Sequence, residues 1–317
     1  MPERHPARGY LYIASAALFW GISASLGRAV FTGRLFRSAQ AWPAINPLIL
    51  AQTRTTFSLM VLAPALLVRR GAGIFSLPKA DFWRCLLLGT LGVAASNYFY
   101  YLAIQKTNVA TAIILQYTAP VWVLLYMVAR GYQSPTAQRI VSVGLAVVGS
   151  ALAIGIVGGA GLRFSALGIG AAMAAAFSFA FYNVFGHGLL LRHDRWKILS
   201  YTLLGAVLFW LVVNPPWKIV AAHYVPAQWL FLAVFAVVSV LIPFSFYFAG
   251  LQHLDATRAI VTSCLEPVFS ILIAAVALGE IVRPLQALGI AIVLTATVLV
   301  QLPGKQREQA VLVEPIE

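Results

Sequence analysis

The chain has 317 residues, of which 61% are hydrophobic and only 10% are charged, and its mean hydropathy is +0.86. A water-soluble domain is nearer half apolar and a quarter charged, so this composition excludes a soluble globular protein and indicates a membrane protein. The formal net charge of +13 does not indicate nucleic-acid binding, because the basic residues collect near the ends of the apolar stretches.

Apolar stretches that are long enough to cross a bilayer follow one another along the whole chain. One span needs about 20 mainly apolar residues. We predict ten transmembrane helices, at residues 10–31, 46–68, 82–105, 107–129, 137–157, 164–191, 196–213, 229–251, 256–278 and 285–302. The connections between them are short, so the expected fold class is an all-α polytopic membrane protein.

The Lys and Arg residues are distributed unevenly between the two sides of the membrane. With the N-terminus in the cytoplasm, about twice as many lie at inner span ends as at outer ones, and positive charge marks the cytoplasmic side. We therefore expect both termini in the cytoplasm, the lipid bilayer as a partner and no nucleic acid. The outer segment at residues 32–45 mixes basic and apolar side chains, which predicts an interfacial segment or, alternatively, a lid.

One sequence window occurs twice in the chain. Residues 105–121, QKTNVATAIILQYTAPV, return 147 residues later as residues 252–268, QHLDATRAIVTSCLEPV. The repetition predicts a duplicated five-helix unit, with residues 1–157 as the first repeat and 158–317 as the second. Because five is an odd number, the two units have opposite orientations, so we expect ten transmembrane helices arranged as two inverted five-helix repeats.

Pro120 and Pro267 occupy equivalent positions near the middle of the fourth and ninth predicted spans. Each proline removes one helical hydrogen bond and leaves a carbonyl that protein or water must satisfy. The symmetric placement favours two kinks that line a central cavity and act in gating; two packing bends are the alternative. Inverted repeats with kinked helices provide a route to alternating access, so secondary transport is the leading functional hypothesis.

Polar groups within a bilayer are costly, which makes each of them a candidate functional residue. Glu266 is the only acid deep in a span, about 15 Å from its start. We interpret it as a coupling or gating residue that takes up a proton or pairs with a substrate ammonium, or as a structural residue that fixes the kink, with Arg54 as a possible partner. The aromatic and amide side chains predict a pocket for a flat, partly polar ligand. The candidate substrate-binding residues are Trp20, Ser23, Asn97, Tyr98, Tyr101, Gln116, Tyr182, Tyr247 and Ser263.

Short motifs in both halves carry a family resemblance. The sequence LEPV at residues 265–268, followed by LGE at 278–280, resembles the ninth-helix pattern of the drug/metabolite transporter superfamily, EamA type. FWG at residues 19–21 resembles its first-helix signature, and Gln286 and Gly289 fit as well. The resemblance covers the whole chain and implies an exporter of small metabolites in the bacterial inner membrane.

A narrower resemblance concerns the substrate. The aromatic content and the long first outer loop are similar to the aromatic amino-acid exporter branch (YddG type), which implies that the small-molecule substrate is an amino acid with an aromatic or large apolar side chain. The first half departs from the family pattern, because Ala119 stands at the position equivalent to Glu266 and Gln133 at that of Glu280. A symmetric role for the two acids is therefore not expected.

Several other functions find little support in the sequence. The glycine-rich GIVGGAG at residues 155–161 lacks the Lys-Ser or Lys-Thr of a phosphate loop, so we expect neither ATP hydrolysis by this chain nor an ATPase subunit. No zinc-protease signature occurs, Cys85 and Cys264 are interpreted as small buried residues, and we expect no cofactor, no metal and no enzymatic activity. The remaining alternatives are a transporter of another small metabolite or drug, a passive channel or structural membrane subunit, and an intramembrane enzyme.

Overall fold

The computed structural model of the protein describes residues 5–31, 45–154 and 165–302. Within these residues the chain forms helices and connecting turns and contains no strand. The predicted interfacial segment at residues 32–45 lies, apart from Ile45, outside the described residues. The glycine-rich 155–161 and the predicted boundary between the repeats at residues 157 and 158 also lie outside them.

Helices occupy each of the ten predicted spans. They are α1 (Pro6–Phe31), α2 (Pro47–Arg70), α3 (Lys79–Leu87), α4 (Ala95–Lys106), α5 (Val109–Gln116), α6 (Ala119–Ala129), α7 (Ala137–Ile154), α8 (Ala166–Leu190), α9 (Arg195–Val213), α10 (Pro216–Val220), α11 (Pro226–Ala236), α12 (Ile242–Leu251), α13 (Ala256–Ser263), α14 (Leu265–Leu278) and α15 (Pro284–Gln301). A first π segment (Leu88–Ala94) joins α3 to α4, and a second (Val237–Leu241) joins α11 to α12. Each of these pairs, like α5–α6 and α13–α14, makes one pass through the bundle.

Nine of the described helical passes are long and apolar enough to cross a membrane. The remaining long helix, α2, has 24 residues but carries Arg54 within it and Arg69 and Arg70 in its last turn. It packs against α9 and α11 within the bundle, and its place as a tenth pass stays a prediction. The chain is therefore an all-α polytopic membrane protein, as the hydropathy of the sequence predicted.

The helix bounds recur at the interval of the sequence repeat. Val109–Gln116 and Ala256–Ser263, which are α5 and α13, begin and end 147 residues apart. The same interval separates Lys79 from Pro226, where α3 and α11 begin, and both of these passes are interrupted by a π segment. The helix bounds thus follow the sequence repeat, and the division of the chain into two inverted repeats stays a prediction.

Glycines allow some of the helices to touch at the backbone. A Cβ atom at Gly89 in the first π segment would overlap the carbonyl oxygen of Thr202 in α9, and one at Gly205 would overlap the backbone of α3. At the crossing of α7 and α15, a Cβ at Gly289 would lie 2.7 Å from the carbonyl oxygen of Gly149. Small residues at such crossings are the usual way in which membrane helices pack closely, because lipid provides no hydrophobic driving force between them.

A cluster of charged side chains joins the start of α3 to the turn between α8 and α9. His193 Nε2 lies 2.7 Å from Asp81 Oδ2, and Arg84 Nη1 donates a hydrogen bond of 2.9 Å to Asp81 Oδ1. Arg70 pairs with Asp194 at 3.1 Å. The side chains of Asp81 and His193 are only 10% and 16% exposed, whereas those of Arg70 and Asp194 are 45% and 41% exposed. Solvent therefore screens the Asp81 pairs less than the Arg70 pair.

We expect Asp81→Asn to lower the apparent melting temperature of the detergent-solubilised protein by about 4–8 °C. Removing the carboxylate charge weakens two hydrogen bonds in a largely buried place, at a cost of about 2 kcal/mol, and 1 kcal/mol corresponds to roughly 2–4 °C for a chain of this size. The control is Asp194→Asn, because Asp194 pairs at the surface and asparagine also caps the start of a helix well. Equal shifts for the two variants, measured by size-exclusion chromatography after heating, would contradict this ranking.

Candidate functional site

Two helices are broken at equivalent positions, next to Pro120 and Pro267. Pro120 is the second residue of α6 and Pro267 the third residue of α14. A proline has no N–H, so the carbonyls four residues earlier, those of Gln116 and Ser263, lack their usual helical donor. Gln116 and Ser263 are also the last residues of α5 and α13. Each proline thus ends one half-helix and allows the next to start.

The two breaks meet inside the bundle. The hydroxyl of Tyr117, which lies in the α5–α6 break, lies next to the carboxylate of Glu266 in the first turn of α14. The Tyr117 ring also packs against the cluster that contains Cys264 and Leu265. Glu266 keeps an intermediate accessibility, although its neighbours Leu265 and Pro267 are buried. Its side chain is therefore not fully enclosed by protein, and it lies at a helix N-terminus whose partial positive charge favours an anion.

Arg54 brings a positive charge from α2 into the same region. Its Nη2 donates a hydrogen bond of 2.8 Å to Asn97 Oδ1, and Asn97 Nδ2 donates one of 2.8 Å to the carbonyl of Val93. The guanidinium carbon lies 5.9 Å from the centroid of the Phe235 ring, which is within the range of a cation–π interaction. The charges of Arg54 and Glu266 are close enough to interact. The site therefore contains one cation and one anion, contributed by α2 and α14.

Tyrosine rings lie beside these charges. Tyr100 interacts with both Arg54 and Glu266, and its ring centroid is 5.5 Å from that of Tyr101. We call Arg54, Asn97, Tyr100, Tyr117 and Glu266 the central cluster. Its members come from α2, α4, α14 and the α5–α6 break, so both proposed repeats contribute to it.

A second group of rings joins α1, α8 and α12. The ring of Trp20 is 5.3 Å from that of Tyr247 and 5.6 Å from that of Phe244, and the ring of Tyr182 is 5.6 Å from that of Phe244. We call these four residues the aromatic cluster. Trp20 and Phe244 retain intermediate exposure, whereas Tyr182 and Tyr247 are fully buried. The Tyr247 hydroxyl also lies next to Ser263 at the end of α13, which brings the aromatic cluster close to the α13–α14 break.

The structure brings six of the nine predicted substrate-binding residues to these two clusters. Asn97 belongs to the central cluster and Tyr101 adjoins it. Trp20, Tyr182 and Tyr247 belong to the aromatic cluster, and Ser263 adjoins it. Protein covers the rings of Tyr182 and Tyr247 in this conformation, so contact between either ring and a ligand requires a neighbouring helix to move.

The other three predicted residues lie apart from the clusters or at their margins. Gln116 is partly exposed at the end of α5, next to Tyr117. The ring of Tyr98 is 6.1 Å from that of Phe209 on α9. Ser23 is buried and donates a hydrogen bond to the carbonyl of Phe19 in its own helix. Of the predicted gating residues, Glu266 lies in the central cluster. Both prolines are buried, and Pro267 directly follows Glu266 in the chain.

Three members of the surroundings were not among the predicted site residues. These are Tyr100, Tyr117 and Phe235. The repeat offered a signal for Tyr117. This residue directly follows the predicted Gln116 and stands 147 residues before Cys264, at the equivalent place in the repeat. Phe235 carried no signal, since only the folded chain shows which ring lies over Arg54.

The glycine of the FWG motif allows α1 to approach the helix that carries Glu266. A Cβ at Gly21 would lie 2.8 Å from Phe269 Cβ and 2.9 Å from the backbone nitrogen of Ser270. Ser25 Oγ donates a hydrogen bond of 3.1 Å to the carbonyl of Ser270. These contacts hold α1 directly against α14.

Among the described residues, no group of three or more His, Cys, Asp or Glu side chains is placed to hold a metal ion. Cys85 and Cys264 are both buried as free thiols. The chemistry of the central cluster is that of a guanidinium, a carboxylate, an amide and two phenols. Such groups are suited to binding charged and hydrogen-bonding parts of an organic molecule.

Known transporters are similar to this chain over most of its length. The model of the EamA-like transporter family matches residues 7–155 and 166–302. The "uncharacterized inner membrane transporter YicL" of Salmonella typhimurium is 24% identical over 308 residues, which cover 96% of this chain and 98% of that protein. An "uncharacterized transporter" of Archaeoglobus fulgidus is 27% identical over 214 residues, or 66% of this chain and 74% of that one. One solved crystal structure superposes with a TM-score of 0.74 at 20% identity, over 92% of this chain and 97% of its own, and therefore shares the fold.

Proposed function

Since this chain belongs to the EamA-like transporter family and is a multi-pass membrane transporter, we propose that it is a secondary transporter that exports a small metabolite by alternating access. The substrate class that we propose is an amino acid with an aromatic or large apolar side chain. We place the protein in the bacterial inner membrane, with both termini in the cytoplasm.

The observation that carries the proposal is the meeting of the two broken helices at Tyr117 and Glu266. Half-helices that end at the middle of a bundle present free backbone groups and a helix N-terminus to a bound molecule, and they allow each half to tilt separately. A break in only one repeat would provide a hinge; breaks in both that lie next to each other provide a central site that both halves share. Movement of one repeat against the other then opens this site to either side.

The side chains around the site support the proposed substrate class. Trp20 and Phe244 keep part of their surface accessible, and Tyr100, Tyr101 and Phe235 lie at or beside the charges. Aromatic pairs contribute about 0.5–1.5 kcal/mol beyond the burial of their area. A substrate with an apolar ring and a charged end therefore matches both the rings and the polar groups. Because the sequence carries no Walker motif, we propose that a gradient of substrate or of an ion drives transport.

The experiment that tests the function is counterflow in liposomes that contain the purified protein. Each sample is preloaded with one unlabelled amino acid, and labelled phenylalanine or tryptophan is supplied outside. Saturable uptake that only aromatic or large apolar amino acids stimulate supports the proposed carrier. Uptake that rises linearly with concentration and needs no internal substrate supports a passive channel instead, and stimulation by a different metabolite or drug replaces the proposed substrate class.

We expect Gln116→Ala to reduce phenylalanine counterflow by about 5- to 12-fold without changing the melting temperature. Gln116 ends α5 one turn before Pro120, and its partly exposed amide lies beside Tyr117. The loss of one hydrogen bond from a protein amide to a substrate is worth about 1–1.5 kcal/mol. The matched control is Gln105→Ala, which removes an exposed amide near the end of α4. Equal flux in the two variants would remove Gln116 from the site.

A further inference from the structure

The guanidinium of Arg54 is only partly satisfied by the protein. One donor reaches the neutral amide oxygen of Asn97 at 2.8 Å, and one face lies near the Phe235 ring. Its Nε atom is buried and has no hydrogen-bond partner within the described ranges. A guanidinium has five N–H donors in a planar fork, so this arrangement leaves donors for a further acceptor.

Glu266 is not this acceptor. The charges of Arg54 and Glu266 are close enough to interact, but among the described residues Arg54 forms no ion pair with a carboxylate. The Glu266 carboxylate instead lies next to the hydroxyl of Tyr117. A cation and an anion therefore lie in one region of the bundle, and each has a neutral polar group beside it. An isolated charge is costly within a bilayer, and a ligand that carries both signs would neutralise the two together.

We propose that Arg54 and Glu266 hold the two charged groups of a zwitterionic α-amino acid, with the substrate carboxylate on Arg54 and its ammonium on Glu266. The proposal rests on the transport function proposed above and assigns its two polar contacts. Arginine suits the carboxylate because its planar donors match two carboxylate oxygens at once. The hydrogen bond to Asn97 keeps the guanidinium in place, and Tyr117 lies beside the Glu266 carboxylate.

This division of roles determines which molecules the site rejects. A molecule that has the ring and the ammonium but no carboxylate, such as phenethylamine, leaves Arg54 unpaired. A molecule that has the ring and the carboxylate but no ammonium, such as 3-phenylpropionate, leaves Glu266 unpaired. Sites built around paired polar groups reject analogues that lack one partner strongly. We therefore expect each analogue to compete on the order of 100-fold less well than phenylalanine.

The test measures inhibition of labelled phenylalanine counterflow by the three compounds, in the wild type and in Arg54→Gln, and direct uptake of labelled phenethylamine by both. In the wild type, phenylalanine should compete on the order of 100-fold better than either analogue. In Arg54→Gln, phenylalanine and phenethylamine should become equivalent within about 3-fold, while 3-phenylpropionate is still rejected because Glu266 remains. Arg54→Lys, which keeps the charge but loses the planar fork, should restore part of the preference for phenylalanine.

Three outcomes would overturn the proposal. Wild-type protein that carries phenylalanine but does not distinguish it from phenethylamine has no carboxylate contact, although the transport function would stand. Arg54→Gln protein that keeps the wild-type preference assigns the carboxylate to another residue. Failure of both Arg54 variants to fold assigns Arg54 to the structure. If the wild type transports no amino acid at all, the proposed function itself fails, and this result is distinct from the other three.

Discussion

Gly205→Ala is expected to lower the apparent melting temperature of the detergent-solubilised protein by about 10 °C. A Cβ at this position would overlap the carbonyl oxygen of Leu86 and lie 2.8 Å from its Cα. Both are backbone atoms, so a change of rotamer does not relieve the overlap, and α3 and α9 must separate. Such overpacking costs about 3 kcal/mol, and 1 kcal/mol corresponds to roughly 2–4 °C here. Gly89→Ala, which faces the same crossing from the other side, should have a similar effect.

The controls are alanine substitutions at glycines where a side chain has room. Gly144 in α7 and Gly170 in α8 are exposed, and a Cβ at either would meet nothing within 4 Å. Alanine favours a helix over glycine by up to about 1 kcal/mol, so these two variants should melt at the wild-type temperature or slightly above it. Size-exclusion chromatography after heating measures all four variants. If Gly205→Ala melted together with the controls, the backbone contact between α3 and α9 would be disproved.

The positions of the helices were predictable from the sequence because the bilayer imposes a length and a composition on each pass. Even α2, whose Arg54, Arg69 and Arg70 lower its hydropathy, was recognised, since its remaining residues are apolar over a sufficient length. The π segments were not predictable from hydropathy. In the first of them, Gly89 lies against the backbone of α9 and a Cβ at Gly92 would lie 3.0 Å from Tyr182 Cβ. Such contacts between distant helices have no signature in local periodicity.

The breaks were predicted more closely than the site that they form. A proline within a helix implies a missing hydrogen bond, so the sequence located the interruptions near Pro120 and Pro267. The contact between Tyr117 and Glu266 brings together residues 149 positions apart in the chain. Helical spacing indicates which side chains share a face of one helix, but it does not indicate which face of another helix lies opposite. For this reason Tyr182 and Tyr247 were grouped with accessible residues, although both are buried.

Glu266→Gln is expected to reduce phenylalanine counterflow by about 10- to 100-fold while leaving the melting temperature unchanged. Glutamine keeps the size and shape of the side chain beside Tyr117, so the α14 break should be preserved. The amide does not balance an ammonium, and the charge of Arg54 then repels the cation. A hydrogen bond to a charged group contributes about 1.5–3 kcal/mol, and each 1.4 kcal/mol is a factor of ten in affinity. Glu280→Gln, which changes the acid beyond the end of α14, serves as the control and should retain wild-type flux.

Counterflow and uptake driven by a pH gradient together separate the three roles considered for Glu266. Exchange of labelled for unlabelled substrate needs binding and movement but no net proton transfer. If Glu266 carries the proton, Glu266→Gln therefore retains counterflow and loses only the uptake driven by the pH gradient. If Glu266 binds the ammonium, Glu266→Gln loses both counterflow and driven uptake, and its KM for phenylalanine rises. 3-Phenylpropionate, which has no ammonium, then competes better relative to phenylalanine than it does in the wild type. A residue that only fixes the kink weakens transport of every substrate by the same factor and lowers the melting temperature. The central cluster predicts the second pattern, because Glu266 keeps part of its surface accessible near a guanidinium that the described residues pair only in part.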